Sequence, residues 1–377
     1  MCDRCFSQSS KQGHCIRMPI LLQPGVLVRR GTAIVFSILG ILPVCTPPGE
    51  PPVSLVSDVV GISRRVHERM GAGVVSSPKG FEALLGHTAD SLAPVVASAR
   101  SAEEKVGVLK RQVYDRWAIT FDPDRDNVTG MLPHSTLREN RGSCLGVSLL
   151  FLLLAEKLNL PLYGVLLPTH FFVRYDDGAV RINIEPNGRG KRYTDREYRR
   201  KYGVEPGSRY DLRNLSDRET IAVLRFNLGN AYRARNMLKQ ASEEYRKVVG
   251  VLPGFAEAWG NLAIARDLSG DTREAIRLLR KARSLNPGLS NIDLNLGTLL
   301  LKAGQPESAA EAYRRATRRS TDTAEPWYGL ALAFSAMGRP DSTLRFLDST
   351  LARDPRHEDA LALRRKLLSG TRELNHP

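Results

Sequence analysis

Residues 140–187, NRGSCLGVSLLFLLLAEKLNLPLYGVLLPTHFFVRYDDGAVRINIEPN, decide the fold of the first half of the chain. They place Cys144, His170 and Glu185 in that order. Ser143 is a suitable helix N-cap, so Cys144 is predicted to lie in the first turn of a helix. A thiol there sits among free backbone N–H groups at the positive end of the helix dipole. Both features favour the thiolate, which is the reactive form of cysteine.

The predicted helix continues with apolar residues on every face up to Leu154. Such a helix is expected to be surrounded by protein. The apolar run is too short to span a bilayer, which needs about 20 residues. The sequence therefore predicts a buried helix that holds a cysteine at its start.

Three strands are predicted after this helix, at 162–167, 170–175 and 179–185. The last two are predicted to join through Asp177–Gly178, the preferred dipeptide of a two-residue hairpin turn. In that register Asp176 pairs with Ala179, and His170 lies directly opposite Glu185.

Directly opposed residues have Cβ atoms roughly 4.5–5.5 Å apart. The turn alone therefore predicts a histidine–carboxylate pair. In this pair Glu185 orients the imidazole of His170, and the other ring nitrogen faces the thiol of Cys144.

A cysteine at a helix start, followed by a histidine and an acid on adjacent strands, resembles the transglutaminase-like superfamily of the papain-like fold group. The closer resemblance is to its bacterial SirB-type branch, in which such a domain precedes tetratricopeptide repeats. The segments that carry the resemblance are 141–152, 158–165, 170–174 and 184–188.

The resemblance implies an α+β domain with a helical N-terminal half, a central cysteine-bearing helix and a small antiparallel sheet. It implies Cys144 as nucleophile, His170 as general base and acid, and Glu185 as the orienting residue. Family members more often have aspartate at the position of Glu185, and Asn183 is the alternative orienting residue. Many members of the branch have lost the cysteine, whereas this chain keeps it.

The 377 residues predict two or three domains. The formal net charge of +15 comes from 55 basic and 40 acidic residues. The arginines are scattered along predicted helices, without a basic patch interleaved with aromatic residues. We therefore interpret the charge as solvated helix faces and expect no nucleic-acid partner.

Residues 1–45 are typical of a targeting segment, with Met18 as an alternative start. Arg29 and Arg30 precede a short apolar run that ends at Cys45, which is the signal-peptide pattern. The cysteine favours a lipoprotein signal with Cys45 acylated, and the paired arginines leave twin-arginine export open. A proline-rich linker at 46–54 follows.

These features predict an exported protein of the cell envelope or periplasm, which meets the membrane only through a signal or lipid anchor. Cleavage before Cys45 would leave Cys144 as the sole cysteine of the folded part. No metal and no cofactor is predicted.

The cysteine-bearing domain is predicted to span 55–212, with mostly helical structure over 55–130. The segment 187–210 is basic and contains glycine and tyrosine, and we interpret it as a linker, with a role in lining the cleft as the alternative. Acyl transfer needs an oxyanion hole. The backbone N–H of Cys144 can supply one donor, and the sequence does not identify the second.

A repeat of 34 residues fills the rest of the chain, with a small residue recurring at Gly229, Ala263, Gly297 and Ala331. It predicts an all-α solenoid of four tetratricopeptide repeats over 217–356, with a capping helix and tail at 357–377. Such solenoids usually bind a protein or peptide on their concave face. The residues predicted on that face are mixed in character: Phe226, Asn230, Arg233, Ile264, Asn295, Lys302 and Tyr328.

Two functions of different classes follow. The first is an exported cysteine enzyme acting on amide or peptide bonds, as a peptidase, an amidase or an acyltransferase, with the repeats binding a partner. The second is a catalytically inactive scaffold that mediates protein–protein interactions. The sequence does not choose between hydrolysis and acyl transfer.

Overall fold

The computed structural model describes residues 54–123, 128–204 and 212–373. The predicted targeting segment with Cys45, and all of the proline-rich linker except Ser54, lie outside the described residues. Within the described ranges, no helix combines the length and the apolar character needed to cross a lipid bilayer.

The N-terminal part of the described chain is mainly helical, as predicted. Helix α3 (Ala102–Lys110) continues directly into a π-helical segment at Arg111–Arg116. Strands β1 (Thr120–Phe121) and β2 (Arg141–Gly142) pair in parallel and lead the chain to Ser143. The elements are α1 (Leu55–Met70), α2 (Phe81–Ser98), α3 (Ala102–Lys110), β1 (Thr120–Phe121), α4 (Val128–Met131), α5 (Pro133–Glu139) and β2 (Arg141–Gly142).

The central helix α6 spans Cys144–Lys157, which confirms the predicted start. Ser143 caps the helix by accepting a hydrogen bond from the N–H of Gly146 at 3.3 Å. Every residue from Leu145 to Ala155 is buried. The reason is that α1, α2, α4, α5 and the sheet all pack around α6.

The sheet contains β3 (Leu162–Leu167), β4 (His170–Asp176) and β5 (Arg181–Ile184), in the antiparallel order β3-β4-β5. One face, with Phe171 and Val173 at its centre, joins α6 in the main hydrophobic core. Alternation of side chains along a strand puts His170, Phe172 and Arg174 of β4 on the opposite face.

The two-residue turn of this sheet lies before His170. Leu167 pairs with His170, so Pro168 and Thr169 alone connect β3 to β4. Thr169 has a positive φ of 61°, a backbone region that is uncommon for residues other than glycine.

The predicted turn at Asp177–Gly178 is wrong, because Asp176 pairs with Arg181 and the loop holds four residues. The carboxylate of Asp177 accepts hydrogen bonds from the N–H groups of Ala179 and Val180, at 3.0 and 2.7 Å. This side-chain cap stabilises the wider loop. The predicted register, with His170 directly opposite Glu185, is therefore displaced by two residues.

The segment 187–210, interpreted from sequence as a linker, contains helix α7 (Asp195–Tyr202). Thr194 and Glu197 form a reciprocal capping box at its start, and Gly203 ends it with a φ of 64°. Helix α7 covers the face of the sheet that α6 does not. A second small hydrophobic core forms there, from Val165, Leu167, Phe172, Tyr198, Val204 and Leu212.

The C-terminal half is a helical solenoid of four helix pairs, as predicted. Gly229 and Gly297 are needed where helices cross, because a Cβ there would lie 2.6 and 2.8 Å from the rings of Tyr245 and Tyr313. The helices are α8 (Asp217–Ala234), α9 (Leu238–Val251), α10 (Ala256–Leu268), α11 (Thr272–Leu285), α12 (Ser290–Lys302), α13 (Pro306–Thr317), α14 (Glu325–Ala336), α15 (Pro340–Leu351) and the final α16 (Glu358–Glu373).

The first solenoid helix packs directly against the cysteine-bearing domain. Leu215, just before α8, donates its N–H to the carbonyl of Gly164 on β3 at 2.9 Å. Ile221 and Leu224 of α8 are buried in the same core as α6. On the outside of this joint, Arg69 of α1 pairs with Glu243 of α9 at 3.4 Å.

A buried arginine ties α7 and the lead-in to α8 to the sheet. Arg174 is 1% exposed. Its Nε donates to Oδ1 of Asn183 at 2.7 Å, and Nη2 donates to Oδ1 of Asp195 at 2.6 Å. Nη1 donates to the carbonyl of Leu212 and, at 3.4 Å, to Oδ1 of Asn214. One guanidinium thus holds β5, the start of α7 and the start of the solenoid together.

Arg174→Lys is expected to loosen α7 selectively, because an ammonium group cannot reach all of these acceptors at once. Losing part of a buried charge network destabilises by about 3 kcal/mol, so the α7 amides should exchange with solvent roughly a hundredfold faster. Hydrogen–deuterium exchange resolved by peptide measures this rate. Arg181→Lys is the matched control, since Arg181 also contacts Asp195 but its side chain is 55% exposed. Similar exchange in both variants would contradict the role of Arg174.

Candidate active site

Two glycines fix the position of Cys144 at the start of α6. A Cβ at Gly142 would lie 2.4 Å from Thr136, and a Cβ at Gly146 would lie 2.1 Å from the carbonyl oxygen of Gly130. The N–H of Ser143 donates to that same carbonyl at 2.8 Å. The glycines therefore allow α4 and α5 to pack against the first turn of α6. Cys144 is half-buried there, with a free thiol.

His170 is the first residue of β4, directly after the tight turn, and is 4% exposed. Its Nε2 lies 3.0 Å from Oε2 of Glu185, within hydrogen-bonding distance. The side chain of Cys144 also interacts with this imidazole and raises its pKa, which places the thiol close to the ring. The structure thus brings together the three residues singled out from the sequence.

Glu185 reaches His170 along a diagonal. Continuing the β4–β5 register by one residue puts Glu185 beside Phe172, two residues from His170. Diagonal neighbours are separated by about 7–8 Å, still within reach of long side chains. Glutamate therefore makes the contact that the predicted register assigned to directly opposed residues.

The carboxylate of Glu185 is 1% exposed but well supplied with donors. Oε2 accepts a hydrogen bond from the hydroxyl of Tyr198 at 2.9 Å, in addition to the contact with His170. Oε1 accepts from the backbone N–H of Asn187 at 3.0 Å. These bonds keep the buried carboxylate ionised and fix its orientation.

The pair favours its charged form. Burial disfavours the imidazolium, but the interactions with Cys144 and Glu185 outweigh burial and raise the pKa of His170 above 6.5. Burial would raise the pKa of Glu185, yet its interactions with His170 lower that pKa below 4.5. The stability that this ion pair gives the folded protein is therefore lost as pH rises through the raised pKa of His170. It is also lost as pH falls through the lowered pKa of Glu185.

Helix α7 supplies two site residues that the sequence analysis missed. Tyr202 stacks on the imidazole of His170, with ring centroids 4.7 Å apart and planes 2° from parallel. Tyr198 is fully buried, and its ring stacks on Phe172 at 4.0 Å. The sequence pattern that could have identified these residues is a pair of tyrosines four residues apart. They follow a Thr-x-x-Glu capping box and lie within an otherwise charged stretch.

Asn183, the alternative orienting residue, bonds to other groups. Its Nδ2 donates to Oδ1 of Asp195 at 2.8 Å and to the carbonyl of Tyr193 at 2.9 Å. Its Oδ1 accepts from Arg174. Its amide therefore supports α7, and Glu185 is the residue that contacts the imidazole.

Several of the residues predicted on the concave face of the solenoid contact other solenoid residues. Asn230 accepts hydrogen bonds from Tyr245 at 2.7 Å and from Asn261 at 2.8 Å. Lys302 pairs with Asp267 at 2.7 Å. These contacts stabilise the stacking of neighbouring helices.

Sequence comparisons follow the same division of the chain. The profile described as transglutaminase-like superfamily matches residues 79–224. Profiles described as tetratricopeptide repeat match residues 221–290, 268–327 and 300–367.

The chain is also similar to parts of known proteins. Protein O-mannosyl-transferase TMTC3 of Homo sapiens is 28% identical over 151 residues, which is 36% of this chain but only 16% of that protein. The Mus musculus protein of the same name is 27% identical over 150 residues, with the same coverage.

Among solved structures, MamA from Desulfovibrio magneticus RS-1 is 18% identical, with 41% of this chain and 97% of that chain covered at a TM-score of 0.35. The pilF protein of Pseudomonas aeruginosa is 21% identical, with 42% and 72% covered at a TM-score of 0.39. From its profile matches, the chain contains a domain of the transglutaminase-like superfamily, followed by tetratricopeptide repeats.

Proposed function

We propose that the domain is a cysteine-dependent enzyme that acts on amide or peptide bonds. The observation that carries this proposal is the hydrogen-bonded pair His170–Glu185 close to the thiol of Cys144, with that thiol at a helix N-terminus and the carboxylate buried. A nucleophile, a base within hydrogen-bonding reach and a group that orients the base are the parts that covalent catalysis requires.

In the proposed reaction, His170 accepts the thiol proton through the ring nitrogen that Glu185 leaves available, Nδ1. The thiolate of Cys144 adds to the substrate carbonyl carbon and forms a C–S bond. The oxyanion that develops lies near the start of α6, where backbone N–H groups have no partner within the helix. The imidazolium then protonates the leaving amine as the C–N bond breaks, which leaves a thioester on Cys144.

The thioester is resolved by attack of a second nucleophile. Water in this role gives a peptidase or amidase, and an amine gives an acyltransferase. In either case His170 takes the proton of the attacking group, and the thiol is regenerated. Glu185 stabilises the imidazolium throughout without giving up its own negative charge.

The tetratricopeptide repeats give the chain a protein-interaction role. We infer that a protein or peptide binds the concave face and is held close to the cysteine site, because α8 is packed into the catalytic domain. The contacts of Asn230 and Lys302 within the solenoid favour a preformed surface over one that orders on binding.

The proposed setting is the cell envelope, on the basis of the sequence of residues 29–45. Cys45→Ser is expected to release the protein from the membrane fraction, because acylation of this cysteine would be the anchor. Fractionation of cells, with detection of the protein through its C-terminal repeats, measures the distribution. Cys15→Ser is the control, since that cysteine precedes the proposed cleavage site. Equal distribution of both variants would rule out the anchor.

Cys144 is expected to react with iodoacetamide faster than a free cysteine at pH 7, since His170 can accept the thiol proton as the sulfur attacks. His170→Ala should slow this reaction roughly a hundredfold. Site-resolved mass spectrometry of the full chain separates Cys144 from the four other cysteines. Equal rates of Cys144 alkylation in the wild type and in His170→Ala would contradict the proposed enzyme and favour a scaffold function for the domain.

Substitutions of Glu185 are expected to separate the effect of its negative charge from the effect of its side-chain length. Glu185→Gln keeps the length but removes the charge, so the pKa of His170 should fall, and the thiolate–imidazolium pair should be lost at lower pH than in the wild type. Glu185→Asp keeps the charge, but the aspartate side chain is too short for the diagonal contact with His170. Cys144 of this variant should therefore be alkylated roughly tenfold more slowly than Cys144 of the wild type at pH 7. The pH dependence of Cys144 alkylation measures both effects. A wild-type profile for Glu185→Asp would contradict the diagonal geometry.

A further inference from the structure

Helix α7 presents a pair of stacked tyrosines to the sheet. Tyr198 and Tyr202 are one helical turn apart, and their rings lie on Phe172 and His170, which are two residues apart on β4. The spacing along the helix therefore matches the spacing along the strand. Tyr202 covers one face of the imidazole with its ring nearly parallel to it, and its own side chain is half-buried.

We propose that Tyr202 is a positioning residue that holds the plane of the His170 ring and stabilises its protonated form through its aromatic face. This inference rests on the proposed cysteine chemistry. It assigns a role to a residue outside the Cys144–His170–Glu185 series.

The orientation argument comes from the geometry of the stack. Rotation of the imidazole about its Cβ–Cγ bond would turn its edge into the ring of Tyr202 and break the parallel contact. The same rotation would move Nε2 away from Oε2 of Glu185, which it contacts at 3.0 Å. The stack and the hydrogen bond therefore select the same ring plane, and Nδ1 is the nitrogen that they leave for the thiol.

The charge argument comes from the distribution of electrons in an aromatic ring. The face of a tyrosine ring carries partial negative charge and attracts a cation that lies over it. A neutral imidazole gains less from this face than an imidazolium does. Tyr202 therefore favours the state in which the thiol proton has moved to His170, and this attraction is strongest where water is excluded, as at this 4% exposed ring.

The other groups around His170 set the background for this effect. Cys144 from α6 and Glu185 after β5 both raise the pKa of His170, and the hydroxyl of Tyr198 from α7 bonds to Glu185 rather than to the imidazole. Lys201 of α7 also lies near this stack, with its Nζ 5.2 Å from the centroid of the Tyr202 ring. Lys201 is exposed, so solvent screens its charge.

The placement of Tyr202 is fixed by the helix as a whole. Asp195, the first residue of α7, bonds to the buried Arg174 at 2.6 Å, and the capping box closes the first turn. Tyr198, one turn before Tyr202, is fully buried. Tyr202 is therefore carried by a helix that is anchored at its start and its middle.

The test is the pKa of His170, measured by NMR on the full chain with ¹³C-labelled histidine. The chain carries Cys144→Ser, so that no thiol titrates together with the imidazole. A spectrum of His170→Asn identifies the His170 signal among the seven histidines. Tyr202→Leu is expected to lower this pKa by about one unit, whereas Tyr202→Phe, which keeps the ring, should stay within about 0.3 units of the parent.

An unchanged pKa in Tyr202→Leu overturns the proposal, and so does an equal loss in Tyr202→Phe, which would assign the effect to the hydroxyl. If Tyr202→Leu fails to fold by circular dichroism, Tyr202→Met takes its place as the variant without an aromatic face. The same loss of about one pKa unit is expected, and an unchanged value overturns the charge argument.

This readout does not depend on catalysis. The proposed cysteine chemistry fails if Cys144 of the wild type reacts no faster than a free thiol. The role of Tyr202 fails if the imidazole titration is insensitive to the ring at position 202. The two failures are therefore seen in different measurements.

Discussion

The charge of Arg174 is the constraint on which the sheet-bearing domain depends. A guanidinium buried to this degree is tolerated only when its N–H groups have acceptors, because an unpaired buried charge is strongly destabilising. Its acceptors come from β5, from the first residue of α7 and from the segment that leads into α8. Three stretches that are distant in sequence must therefore meet on the same face of the sheet. Satisfying this charge places α7 where the cysteine chemistry is proposed.

Two polar networks share that face and are separated by an aromatic layer. Arg174 with Asp195 forms one network, and His170 with Glu185 forms the other. Phe172 lies between them on β4, with the Arg174 guanidinium carbon 5.7 Å from its ring centroid on one side and the His170 ring centroid 6.4 Å away on the other. The ring of Tyr198 stacks on Phe172 in this layer, and its hydroxyl donates a hydrogen bond to Glu185. His170, Glu185 and Arg174 are all buried beside this layer, and exclusion of water strengthens the electrostatic interactions of these groups.

The sequence predicted those parts of the fold that local patterns specify. Ser143 before an apolar run predicted the start of α6, and the 34-residue recurrence predicted the solenoid, because a cap and a repeat need no knowledge of distant residues. The strand register depended on the choice of turn. Asp177–Gly178 is the stronger hairpin signal in sequence, but Asp177 caps a longer loop, and Pro168–Thr169 makes the tight turn instead.

The pairing of His170 with Glu185 was predicted for a reason that proved incomplete. Side-chain alternation placed both residues on one face, and this remains true in a register displaced by two residues. What changed is the distance that the side chain must cover, and glutamate covers it. Helix α7 was missed because its apolar face consists of two tyrosines among charged residues. Its position is set by tertiary contacts with Arg174 and Phe172, which no local pattern encodes.

The junction between the two parts of the chain explains why the domain profile extends into the solenoid. The family match continues to residue 224, inside α8, and overlaps the first repeat profile, which begins at residue 221. Strand β3 would be an exposed edge without Leu215, and exposed edges invite association with other chains. Thr220 of α8 packs beside Gly164, where a Cβ would lie 3.1 Å from its hydroxyl oxygen. The first repeat helix therefore completes the cysteine-bearing domain. Since the lead-in to α8 and the start of α7 bond to the same guanidinium, ordering one of them stabilises the other, and the solenoid is coupled to the face that carries His170.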